Sequence, residues 1–368
     1  MNHTLSATSG VLYKKVAKPI LFKFDPEQVH DATLSAAKLS SAIWGLPTII
    51  DKVYSYQDSL LKQTIDGIAY NNPLGLAAGW DKDAQAVSIM SSLGFGFVEV
   101  GSITKHSYEG NRGKRLWRLP DSKSIVVNYG LKNEGVDAIA PRIKRYGSSI
   151  PIGTNIARTN SPDCDDVSSI EDYVYSFKKL SNIGNYFTVN ISCPNTFGGQ
   201  PFHDKVRLHA LLGALDEIPT KKPVYVKISP DITQKERKDI AALAFKHRVD
   251  GFICGNLTKN RTLDSIYETE LPNTGGLSGK VVENVSNELL SDMYTYTKGQ
   301  KTIIGLGGIF TAEDAYIKIK LGASLVQIIT GLIYQGPQTV GEINYNLSKL
   351  IRNDGYTNIS QAIGTMTL

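Results

Sequence analysis

From residue 73 onward the chain alternates short apolar, β-branched runs with longer amphipathic ones. This alternation narrows the possible folds more than any other feature. The strand-like runs are Leu74–Ala78, Phe97–Val100, Ile152–Ile156, Phe187–Ile191, Val224–Ile228, Phe252–Cys254, Ile303–Leu306 and Leu325–Ile329. Apolar runs of this length, bounded by Gly and polar residues, read as strands buried on both faces. Helical patterns fall between them, as at Ala84–Leu93, Ile170–Asn182, Gln234–Lys246 and Ala312–Leu321. Eight strands with helical crossovers predict an α/β fold, a closed (β/α)8 TIM barrel. A doubly wound open sheet is the runner-up. It needs fewer strands, or a glycine-rich fingerprint after the first one, and this sequence has no such fingerprint.

The first 65 residues are of a different kind. Asp25-Pro26-Glu27-Gln28 reads as a helix start, with an N-cap, a Pro in the first turn and a Gln placed for a capping box. Val29, Ala32, Ala36, Leu39 and Ile43 then repeat with helical spacing up to Gly45 and Pro47. Ile49, Val53, Tyr56 and Leu60 repeat the period. The expectation is an N-terminal helical hairpin extension over residues 1–65, followed by a barrel over 66–368. The opening residues lack the basic-then-apolar order of a signal peptide, which leaves a short targeting or disordered tail open there.

Composition removes several function classes. With 40 basic and 35 acidic residues among 368, the net charge of +5 is too small and dispersed to argue for nucleic acid. Cys164, Cys193 and Cys254 show no paired spacing, so neither a disulfide framework nor structural zinc is expected. His106, His203, His209 and His247 have no ligand spacing, and no metal is expected. No apolar run is long enough to span a membrane.

Polar and glycine residues cluster just past the strand ends. They are Ala78-Gly79 with Lys82, then Ser102, Asn155, Asn190 with Cys193 and Asn195-Thr196, Lys227, Asn256, Gly307-Gly308 and Thr330. On a barrel these positions converge on one mouth. The glycines at the last two strands suit a phosphate, because backbone N–H groups can approach it closely. Lys82 and Lys227 can offset negative charge on a ring or phosphate. The amides offer paired donors and acceptors to a flat heterocycle. Cys193 can take a proton as its thiolate, a form that neighbouring Lys or backbone donors favour.

Several strings carry a resemblance. They are Phe24-Asp25-Pro26-Glu27 with His30, Asn72–Gly79 with Asp81-Lys82, Gly94–Ser102, Thr274–Gly279 and Gly322–Gln327. On these the chain resembles dihydroorotate dehydrogenase, in its membrane-associated, quinone-using class. The resemblance implies an FMN-filled barrel that oxidises dihydroorotate to orotate in pyrimidine synthesis and passes the electrons to a quinone. It places FMN contacts at Ala78, Gly79, Lys82, Ser102, Asn155, Asn190, Lys227, Ser278, Gly279, Gly307, Gly308 and Thr330. It places substrate contacts at Asn190, Asn195, Thr196 and Asn256, with Asn128 as a stand-in for a missing amide. It makes Cys193 the base and sets His30 and Arg118 near the quinone route. It also implies peripheral membrane contact through the N-terminal helices, on the cytoplasmic face if the source is bacterial.

The sequence departs from that family at specific points. Cys193 stands where the quinone-using class usually has Ser. Val127 replaces an Asn, Leu257 replaces a hydroxyl residue, and Lys132 replaces an amide. Two further readings therefore stay open: an FMN-barrel oxidoreductase acting on a different pyrimidine-like compound, and a non-catalytic flavin-binding homologue. Cys254 reads as core packing and Cys164 as an incidental thiol.

Overall fold

The computed structural model describes residues 1–146 and 148–368. All eight expected strands form one closed parallel barrel. In chain order they are β1 (Leu74–Leu76), β2 (Phe97–Ile103), β3 (Ile152–Ile156), β4 (Tyr186–Asn190), β5 (Val224–Ile228), β6 (Gly251–Cys254), β7 (Thr302–Leu306) and β8 (Leu325–Ile328). β8 closes on β1 with Val326 opposite Leu74. Large side chains fill the barrel: Phe97, Tyr186, Tyr225, Ile253 and Ile304 are all buried. Glycine makes room for them. A Cβ on Gly75 would lie 2.3 Å from the Phe97 ring, and one on Gly153 2.2 Å from the Tyr186 ring. A second apolar layer joins the outer strand faces to the helices, as where Phe177 stacks on Phe187 with ring centroids 4.0 Å apart.

One expected helix is much shorter than its pattern. Ala84–Leu93 is helical only over Val87–Met90. The Asp81 carboxylate accepts from the backbone N–H groups of Gln85 and Ala86, each at 2.8 Å, and Ala84 takes a positive φ of 56°. Those bonds hold the segment as a loop at the end of β1, against the helical spacing of its apolar residues.

The N-terminal hairpin is present. Helix α1 (Pro26–Ala42) is capped by Asp25, which accepts from the N–H of Glu27 and of Gln28. Helix α2 (Leu46–Tyr54) follows the left-handed Gly45. The residues before the hairpin, where a tail was left open, are helical. His3–Leu12, Tyr13–Ala17 and Lys18–Leu21 follow one another as helix, and Tyr13 donates to the Ile333 carbonyl at 2.7 Å. No helix among the described residues is long and apolar enough to cross a membrane.

The long connections between β2 and β3 and between β6 and β7 meet over the barrel mouth. Leu116–Leu119 and Ser124–Val127 pair antiparallel. Gly276–Gly279, from the connection between β6 and β7, adds a third strand, with Gly276 opposite Val127 and Gly279 opposite Ser124. The result is a three-stranded roof.

Candidate active site

Under this roof lies a cavity of about 1250 Å³, counted to its open mouth. Ala78, Gly79 and Lys82 reach it from β1, Ser102 from β2, Asn190, Cys193 and Asn195 from β4, and Lys227 and Asn256 from β5 and β6. Gly307, Gly308 and Thr330 reach it from β7 and β8, and Ser278 and Gly279 from the roof. His30 of α1 lines it as well. Asn155 sits one layer behind. It accepts from Ser102 Oγ at 2.5 Å and donates to Glu99 at 2.7 Å.

Three other expected residues stand off the cavity wall. Thr196 donates to backbone carbonyls of its own loop. Asn128 accepts from Asn111 at 3.1 Å. Arg118 donates to the Phe24 carbonyl at 2.8 Å and covers the Phe22 ring.

Two cations face the cavity, Lys227 buried and Lys82 half-buried. Loss of solvent lowers the pKa of Lys227 and brings that of Lys82 down to about 8. Lys82 lies 4.2 Å from the centroid of the Tyr129 ring. Glu99, fully buried in the barrel axis, accepts from Asn155, Tyr186, Thr188 and Gln327. Gln327 is used on one side only: its Nε2 serves Glu99 while its buried Oε1 has no partner. Desolvated ammonium groups and an unpaired amide oxygen both call for a bound polar ligand.

The turn after the roof strand is a second polar feature. Gly130 and Leu131 both have positive φ, 67° and 70°. A Cβ on Gly130 would meet Asn111 Oδ1 at 2.3 Å. The carbonyls of this turn are all engaged: Tyr129 accepts from the Asn111 N–H, Gly130 from Asn160 and Leu131 from Asn133. The N–H groups of Gly130, Leu131 and Lys132 have no acceptor among the described residues, and all three residues line the cavity. Consecutive free N–H groups form an anion-binding concavity.

Cys193 lines the same cavity. Desolvation pushes its thiol pKa up, outweighing the Asn195 N–H and the charges of Lys259, Lys227 and Arg158, which pull it down. The neighbouring cations and the backbone donor do favour the thiolate, as the sequence led one to expect. Burial outweighs them.

A family model described as dihydroorotate dehydrogenase matches residues 60–351. A protein of Gloeobacter violaceus called dihydroorotate dehydrogenase (quinone) is 40% identical over 352 residues, covering 95% of this chain and 98% of that one. A protein of the same name from Christiangramia forsetii is 39% identical over 341 residues, covering 91% and 98%. The chain belongs to the quinone-dependent dihydroorotate dehydrogenase family. A crystal structure of the Eimeria tenella enzyme in complex with ferulenol superposes with a TM-score of 0.84, at 31% identity over 93% of this chain and 95% of that one.

Against this family background the departures have a place. Val127 and Leu257 both line the cavity, and both border Gly276. Val127 is its pairing partner, and a Cβ on Gly276 would fall 2.6 Å from that of Leu257. The two apolar substitutions thus form a single patch of wall. Lys132 lines the cavity and reaches back 3.5 Å to Glu27 of α1, which also holds Arg115.

Sequence reasoning missed the free N–H groups of 130–132, Glu99, Gln327 and Lys259. Backbone groups carry no residue signature, although Asn128-Tyr129-Gly130 after a strand-like run is a turn signal. Glu99 was the better clue: an acid inside an apolar strand pattern needs buried partners.

Proposed function

We propose that this chain catalyses the FMN-dependent oxidation of dihydroorotate to orotate and passes the electrons to a quinone. The observation carrying this reading is one cavity with a free N–H turn suited to a carboxylate, a basic-capable thiol and two desolvated lysines. The residues fit FMN. Lys82, Lys227 and the unpaired Gln327 oxygen would hold the polar edge of the ring. Gly279, Gly307, Gly308 and Thr330 would hold the phosphate. FMN bound there supplies a two-electron acceptor for the hydride that leaves C6 of the substrate.

The chain's own groups do the rest. The N–H groups of Gly130, Leu131 and Lys132 orient the substrate carboxylate. The Cys193 thiolate takes the C5 proton. Beyond their bonds to protein groups, Asn195 keeps one N–H and one oxygen lone pair, and Asn256 one lone pair, for the ring's imide edge. The roof excludes water and so strengthens each of these interactions.

The quinone would enter on the apolar flank, where Leu116, Ile125, Phe310 and Ile333 line the cavity beside His30. The N-terminal segment, residues 1–65, would form that entrance and rest on the membrane surface. Its hairpin exposes Leu39, Ile43, Ile49 and Trp44, the last 98% accessible, and lysines punctuate the preceding helix. That arrangement supports a peripheral placement, on the cytoplasmic face in a bacterium.

The apolar patch at Val127 and Leu257 favours one second reading, a different pyrimidine-like substrate. The test is to add dihydroorotate without oxygen to the yellow holoenzyme. Rapid bleaching is expected. A flavin that stays yellow with dihydroorotate but bleaches with another dihydropyrimidine selects the second reading. No bleaching with any of them makes the chain a non-catalytic homologue.

A further inference from the structure

Lys318 is fully buried in the helix Ala312–Lys320, outside the cavity and unused by the mechanism. Its ammonium donates to Ser286 Oγ at 2.7 Å and to Asn287 Oδ1 at 2.6 Å. Ser286, also fully buried, shares its one hydroxyl proton between the Glu283 carbonyl at 3.0 Å and the Gly307 carbonyl at 3.3 Å. The Gly307 carbonyl shares a peptide unit with the Gly308 N–H. That N–H has no acceptor among the described residues, and both glycines line the cavity.

We propose that Lys318 is a positioning residue for the cofactor's phosphate. It acts through Ser286 on the Gly307–Gly308 peptide, and its ammonium charge and a phosphate monoester bound at that peptide stabilise one another. The inference rests on the FMN reading above. Hydrogen bonds in series polarise one another, most strongly where the dielectric is low. A donor on the carbonyl side of a peptide makes its N–H a better donor to an anion.

The surroundings leave the charge of Lys318 adjustable. Burial lowers its pKa to about 7, the carboxylates of Glu283 and Asp314 raise it, and Lys280 lowers it. Both carboxylates are already shared with Lys280, at 2.5 and 2.9 Å. The Cys254 thiol on β6 also faces it, but burial drives that thiol's pKa far up, so it stays neutral. A phosphate dianion arriving at Gly308 adds negative charge and raises the lysine's pKa. Cofactor binding near neutral pH is therefore coupled to proton uptake. The affinity is lost as pH rises from the free towards the bound pKa.

The experiment follows flavin fluorescence as holoenzyme is diluted at a series of pH values from about 6.5 to 8.5, with riboflavin rebinding to the stripped protein as the phosphate-free control. The FMN dissociation constant is expected to rise up to about tenfold per pH unit above neutrality, and that for riboflavin much less. Lys318→Met should flatten the FMN profile and weaken binding at the acid end. Ser286→Ala should flatten it with the lysine still in place, which covers the case that the lysine variant does not fold. Unchanged slopes in these variants overturn the proposal. So does a riboflavin profile parallel to that of FMN, which would assign the proton to Lys82. A protein that binds no FMN at any pH overturns the FMN reading itself, whereas tight binding with a flat profile overturns only the role of Lys318.

Discussion

Asn195 donates its side-chain N–H to the carbonyl of Val127 at 2.8 Å. An amide expected to read the substrate thus grips the backbone of Val127, where the resemblance led to the expectation of an amide. Its oxygen is engaged too, accepting from Lys259 at 2.8 Å.

This predicts the effect of restoring the family pattern. Val127→Asn with Leu257→Thr places an amide and a hydroxyl on the wall beside Gly276. If dihydroorotate is the substrate, orotate should bind about tenfold tighter or more, at roughly 1 kcal/mol or more per recovered hydrogen bond. Perturbation of the flavin spectrum by orotate measures it. Weaker binding in the double variant would mean that the natural ligand presents hydrocarbon to this wall.

Cys193→Ala should keep FMN bound and slow flavin reduction by roughly 10²–10⁴-fold, as for a lost general base. The pH dependence follows from the direction of the thiol shift. A raised pKa leaves little thiolate at neutrality, so the reduction rate should climb about tenfold per pH unit until pH passes the thiol's pKa. A rate flat from neutral pH upward in stopped flow would remove Cys193 from the role of base.

Gly130→Ala tests the anion turn. The added methyl meets Asn111 and the backbone keeps a left-handed φ, a strain of order 1 kcal/mol or more. The expected result is a KM for dihydroorotate raised about tenfold, with FMN content unchanged. A normal KM would place the substrate carboxylate elsewhere.

Removal of residues 1–54 should spare flavin reduction by dihydroorotate and abolish quinone turnover. The cut preserves Leu61, which is fully buried in the main core, and the hairpin of Gln63–Ile65 with Ile68–Tyr70. Steady-state and half-reaction assays compared side by side decide it. Equal loss in both would make the helices purely structural.

The barrel was legible because each strand is buried on both faces, so its apolar run needs no help from distant residues. Ile152–Ile156 and Val224–Ile228 fall where the sequence put them. Ala84–Leu93 misled because its spacing is helical, while two bonds to Asp81 decide its path. The helix before Phe22 was missed because its packing partners, such as the Ile333 carbonyl, come from the far end of the chain. At the site, side chains at strand ends could be placed from strand positions alone. The N–H groups of 130–132 could not, since their freedom depends on Asn111, Asn133 and Asn160 occupying the opposite side of the turn.

The roof has one more consequence. Because Gly276–Gly279 is stitched to Ser124–Val127, loops from opposite sides of the barrel share a single sheet. Neither can swing open alone. Traffic through the mouth must either lift the whole flap or pass beside it, along the seam that α1 and Lys132 hold closed.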